Sequence, residues 1–185
     1  MAAGERRSAR AAHAGAPPGA PAPAGLIDTH CHLELLRGTE AALAEAWEGG
    51  MEAIVAIGFD PASSGKAAAF ARENDRIFAC VGVYPHKADK LDDAVVAGLE
   101  ELAGEPDVVA IGECGLDYFH RHCPPDVQRR AFSAQIELAR RTGLTLVVQT
   151  REAADDTMAV LAAEAEGLTV VLHCFSLPDR VDECN

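Results

Sequence analysis

Three stretches of this chain bring metal-type side chains to the end of an apolar run. Asp28-Thr29-His30-Cys31-His32 follows the run that starts at Gly25. Side chains alternate faces along an extended strand, so Asp28, His30 and His32 share one face. Two imidazoles spaced in this way can form half of a divalent-metal site, with Asp28 as an orienting group or weak ligand. A partly buried histidine pair beside a turn is the plainer reading of the same residues. Ile111-Gly112-Glu113-Cys114-Gly115 sets a carboxylate between two glycines, directly after a second apolar run. An ionised Glu there is costly unless it is paired or metal-bound, and one carboxylate can bridge two ions; a salt-bridged or helix-capping Glu is the alternative. Val170-Val171-Leu172-His173 ends a third run on an imidazole, which alone could be a core histidine. Their convergence favours ligands: in a parallel α/β barrel the C-terminal strand ends meet at the active site.

The elements that would position these residues repeat along the chain. Short Val- and Ile-rich runs at Gly25–Asp28, Ala53–Ile57, Ile77–Val83, Val108–Ile111, Leu144–Val148 and Leu168–Leu172 suit strands buried on both faces. Amphipathic stretches at Thr39–Glu48, Ala62–Glu73, Leu91–Leu102, Val127–Arg141 and Asp155–Glu166 suit helices between them. Gly49-Gly50 and Gly143 stand where helices stop. Alternating strands and helices imply a parallel sheet with right-handed crossovers. Pro178–Asn185 reads as the opening turns of a sixth helix. An eight-stranded barrel would then have two further βα units outside these residues, and an open six-stranded sheet is the alternative.

Residues 1–24 carry Arg6, Arg7 and Arg10 followed by alanines broken by Gly15, Pro17, Pro18, Gly19, Pro21 and Pro23. The breaks exclude a continuous apolar signal core, and residues 1–24 are expected to be a disordered leader, or the product of a misplaced start codon, ahead of one domain over residues 25–185. No apolar run approaches the roughly 20 residues of a membrane span. The six cysteines include no Cys-x-x-Cys pair, which fits reduced thiols in a cytoplasmic protein. A net charge of −13 argues against non-specific binding to nucleic acid; part of the answer is that carboxylates that take metals count as negative only until the metals bind.

An ordered set of motifs resembles the TatD family: Asp28–His32, Gly82–His86 (G-V-Y-P-H), Gly112–Tyr118 (G-E-C-G-L-D-Y), Gln128–Phe132 with Gln135, Thr150–Ala153, and His173–Ser176 (H-C-F-S). The resemblance runs from Leu26 to the last residue. It implies a TIM (β/α)8 barrel of the metal-dependent hydrolase type, with about six of its eight βα units in this chain. It also implies a deoxyribonuclease, described in some members as a 3′–5′ exonuclease, that acts on single-stranded DNA or 3′ ends with two divalent ions (Mg, Mn or Zn). On that resemblance His30 and His32 hold one ion, Glu113 bridges and is catalytic, His173 holds the second ion, and Arg151 meets a phosphate.

The chain departs from the family pattern in three places. Gln149 stands where a metal-binding His is usual, two residues before Arg151, and an amide oxygen is a weaker ligand. Tyr84 replaces a usual His. The family's late Asp, which completes the first metal site, falls beyond residue 185. Cys31, Cys114 and Cys174 each follow a candidate ligand, so strand alternation turns them away and makes them packing residues. Two other readings compete: an amidohydrolase-like barrel cleaving C–N bonds of a small molecule, and a degenerate, non-catalytic barrel.

Overall fold

The computed structural model describes residues 25–184; the leader expected over residues 1–24 lies outside them. Six strands, β1 (Leu26–Cys31), β2 (Met51–Ile57), β3 (Ile77–Val81), β4 (Val108–Asp117), β5 (Thr145–Arg151) and β6 (Val170–His173), pair in parallel in sequence order. Five helices lie between them: α1 (Thr39–Glu48), α2 (Pro61–Glu73), α3 (Asp93–Ala103), α4 (Pro125–Thr142) and α5 (Ala154–Glu164). Consecutive strand order is that of a barrel, whereas doubly wound sheets reverse direction at a switch point.

The sheet is curled. Laid flat at about 4.8 Å per strand, five spacings would separate β1 from β6 by about 24 Å. Yet the ring of His30 at the end of β1 lies 3.4 Å from that of His173 at the end of β6. The first and last strands of the order therefore bend round to face one another. Burial follows the same geometry. Every residue of β4 but Val109 is buried, whereas β1 and β6, each paired on one side among the described residues, leave Ile27 and Val171 exposed.

Local chemistry sets the element ends. Asp60 caps α2 through a capping box with Ser63, Pro61 opens the helix, and Asp92 caps α3. Gly143 ends α4 with a left-handed φ of 71°. The main core gathers Ile54, Val81, Ile111, Leu116, Phe132, Leu138 and Val148 between sheet and helices. Two fully buried glutamines, seven residues apart on α4, tie the helix to strand ends. Gln135 accepts from the Val83 amide at 2.8 Å and donates to the Val83 carbonyl. Gln128 does the same for Asp117, at 2.8 and 3.0 Å.

Two elements differ most from the sequence expectation. β4 runs six residues past Ile111, through a cis Gly112–Glu113 peptide and the left-handed glycines Gly112 and Gly115, because pairing with β5 continues to Asp117–Arg151. The helix expected from Pro178 is instead a 3-10 segment, Pro178–Cys184, interrupted at Arg180, whose guanidinium pairs with Asp155 and Glu183. No helix among the described residues is long and apolar enough to cross a membrane.

Candidate metal centre

Glu113 is the hub of the site. It is buried, and its Oε2 lies 3.2 Å from His30 Nε2 and 3.7 Å from His32 Nε2. His30, Glu113 and His173 each present a ligand atom within 4.8 Å of the others. The structure thus brings together four residues from three strands: His30 near the end of β1 with His32 just after it, Glu113 within β4, and His173 closing β6.

The surroundings orient these groups. His32 Nδ1 lies 3.1 Å from the Ile57 carbonyl; a proton on Nδ1 then leaves the Nε2 lone pair facing Glu113. Burial, and then His30, hold the His173 imidazole below its ordinary range against the opposing pull of Glu113. That favours the neutral form a metal requires. Asp28 accepts the His30 backbone amide at 3.0 Å, so its carboxylate fixes the chain rather than a ring.

His30 Nε2 is buried and has no hydrogen-bond partner among the described residues, because its approach to Glu113 is not aligned for a hydrogen bond. A buried polar atom without a partner is costly, and an imidazole nitrogen facing a buried carboxylate beside two more imidazoles is the donor set a divalent ion takes. The residues fit such an ion.

The site floors a pocket of about 640 Å³ that Tyr84, His86, Lys87, Gln149, Arg151 and Cys174 also line. Gln149 pairs in register with His173, so its amide borders the position of the second ligand. The Arg151 guanidinium lies 4.4 Å over the Phe119 ring, and Lys87 pairs with Asp60 at 2.5 Å. Burial, then Glu113 and Asp117, push the Tyr84 phenol up to about 12, so it remains a hydrogen-bond donor.

The cysteines divide. Cys31 packs against the core and Cys114 is fully buried, with its thiol directed to the Val147 carbonyl; burial raises both thiols. Cys174 corrects the expectation of a packing residue. β6 ends at His173, alternation ends with it, and a φ of 47° turns Cys174 outward, its Sγ 3.2 Å from His173 Nε2 on the pocket wall.

Sequence reasoning missed a second cluster. His86 Nε2 and His120 Nδ1 each lie 2.9 Å from Asp117 Oδ2, and the His122 ring is 4.5 Å from that of His86. His120-x-His122 repeats the spacing of His30-x-His32 and was the available signal.

The family described as TatD related DNase matches residues 27–181. An uncharacterized metal-dependent hydrolase TatD of Mycobacterium tuberculosis is 38% identical over 161 residues, covering 82% of this chain and 61% of that protein. A protein of Enterobacter lignolyticus named 3′-5′ ssDNA/RNA exonuclease TatD is 33% identical over 153 residues, covering 82% and 59%. The crystal structure of YJJV, a TatD homolog from Escherichia coli K12, superposes with a TM-score of 0.75 at 28% identity, over 81% of this chain and 60% of that one. The chain thus spans about three fifths of the length of the relatives it matches.

Proposed function

Because the chain belongs to the TatD family of metal-dependent hydrolases, we propose that it carries the metal centre of a phosphodiesterase acting on DNA, with single-stranded or 3′-terminal DNA as substrate and 3′–5′ polarity. A cytoplasmic location goes with this reading. In it His30 and His32 would hold one divalent ion (Mg, Mn or Zn), Glu113 would be shared between two, and His173 would hold the second, with Gln149 as a weak neighbour. Bound there, such ions supply a water of lowered pKa and stabilise charge on the leaving oxygen.

The chain's own residues do the rest. Glu113, fixed in a buried strand, would be the shared anionic ligand that holds the ions in place for catalysis. Arg151 on the rim offers a planar pair of donors to a phosphate, the geometry in which guanidinium excels. Lys87, already paired with Asp60, and Tyr84, a neutral donor, line the same pocket. Arg151 thus sets a cation at the pocket despite the net charge of −13.

One observation carries the reading: three imidazoles converge on one buried carboxylate at the floor of a pocket rimmed by Arg151 and Lys87. The test is release of nucleotides from 3′-labelled single-stranded DNA with Mn²⁺. Wild type should release label, E113Q should not, and R151A should raise KM by more than it lowers kcat. Label release that is indifferent to metal, or equal in E113Q, would sink the proposal.

A further inference from the structure

We propose that His86, Asp117 and His120 form a separate transition-metal site on the wall of the pocket. It shares no ligand with the His30–Glu113 centre and does not depend on the reading of that centre as a nuclease. Each of the three residues offers a ligand atom within 4.8 Å of the other two. Both imidazoles already lie 2.9 Å from one carboxylate oxygen, Asp117 Oδ2. Metal–ligand bonds of about 2.0–2.2 Å in a tetrahedron set neighbouring donors about 3.3 Å apart, so an ion asks for an expansion of only a few tenths of an ångström. Two imidazole nitrogens and one carboxylate are borderline donors, which select Zn²⁺, Co²⁺ or Ni²⁺ over Mg²⁺ or Ca²⁺.

The cluster is built to keep its shape. Asp117 is fully buried, and its second oxygen, Oδ1, accepts the His120 amide at 2.9 Å. Gln128 holds the Asp117 backbone from both sides and also donates to the Cys123 carbonyl at 2.8 Å. Supporting contacts of this kind fix a ligand's direction and raise affinity. The imidazoles, by contrast, are reachable: the His86 side chain is 20% exposed and that of His120 35%. An ion would take the place of the hydrogen bond between each imidazole and the carboxylate, each neutral ring keeping its proton on the nitrogen that faces away. His122 borders the open side, its ring 4.5 Å from His86 and stacked on His120 at 5.9 Å. Because His86 also lines the main pocket beside Lys87, a loaded site adds positive charge to the wall a phosphate would approach.

The probe is Zn²⁺ on the full chain, read by metal stoichiometry after dialysis. An E113A/H173A variant, disabled at the first centre, should retain one equivalent. Adding H86A and H120A should remove it or weaken it at least tenfold. In wild type labelled with ¹⁵N-histidine, Zn²⁺ should shift the ring nitrogens of His86 and His120, a reading that needs no substitution. If those resonances do not move, or if the quadruple variant still holds its equivalent, the cluster is a hydrogen-bonded trio only and the proposal falls.

Discussion

The imidazole of His30 lies flat on that of His173, centroids 3.4 Å apart and planes 11° from parallel, although the two residues belong to the first and last strands of the sheet. The contact records the curl of the sheet and gives the centre its character. Two rings face each other above a buried carboxylate, with the His30 Nε2 unpartnered. An ion bound here satisfies that nitrogen and joins β1 to β4 and β6, so binding should be felt as stability.

Mn²⁺ at about 100 times its dissociation constant should therefore stabilise the protein by about 2.7 kcal/mol. For a chain of this size that is a rise in Tm of roughly 5–10 °C. E113Q should lose most of the rise, since an amide cannot serve as the shared anionic ligand. Thermal melts with and without Mn²⁺ decide it; an equal rise in both proteins would remove Glu113 from the centre.

Gln149 stands in register with His173 across β5 and β6. An imidazole there would give the second ion a stronger donor than a neutral amide oxygen. Q149H should lower the Mn²⁺ concentration needed for half-maximal loading by about tenfold or more, a scale that even outer-sphere partners of a ligand reach. Calorimetric titration against wild type measures it. An unchanged profile would mean that the Gln149 position does not face an ion.

The candidate ligands were legible because strand alternation and strand ends are written in local sequence: His30, His32, Glu113 and His173 each close or follow an apolar run. The His86–Asp117–His120 cluster was not. Asp117 falls six residues beyond the apolar run of β4, past two glycines that local propensity reads as a break. Only pairing with β5 carries the strand that far. His120 then reaches Asp117 through a turn, and His86 arrives from beyond the end of β3, so the His120-x-His122 spacing alone does not tell which groups it meets. Cys174 was misread for a related reason, since alternation holds only while the strand lasts.

Gly82 and Gly98 make a matched pair of substitutions. A Cβ on Gly82 would lie 2.5 Å from the Gly112 carbonyl oxygen and 2.7 Å from Gln135 Oε1, between the ends of β3 and β4. Backbone cannot yield cheaply, so G82A should cost about 3 kcal/mol. It should also weaken Mn²⁺ binding by displacing the residue before Glu113. Gly98, inside α3, has nothing within 4 Å of a built Cβ. G98A should stabilise by roughly 0.5–1 kcal/mol through helix propensity alone. Urea unfolding of both variants checks the contrast, and a tolerated G82A would show that β3 and β4 can separate.

Acid stability should depend on Asp60, the N-cap of α2. Burial pushes its carboxyl up, but the Lys87 ammonium and the Ser63 amide and hydroxyl outweigh this and bring it down to about 2. A carboxyl that is more acidic when folded stabilises the fold above its unfolded pKa, near 3.9, and loses that contribution as pH falls towards 2. D60N retains a good capping side chain but cannot ionise. At pH 7 it should cost no more than about 1 kcal/mol, the scale of a partly exposed ion pair. Between pH 4 and pH 2 its stability should fall less steeply than that of wild type. D60A loses the cap as well and should cost about 1 kcal/mol more at every pH above 4. Urea midpoints at pH 7, 4, 3 and 2 measure all three proteins. Parallel curves for wild type and D60N would mean that Asp60 titrates alike in the folded and unfolded chains, and that its contact with Lys87 adds nothing to the fold.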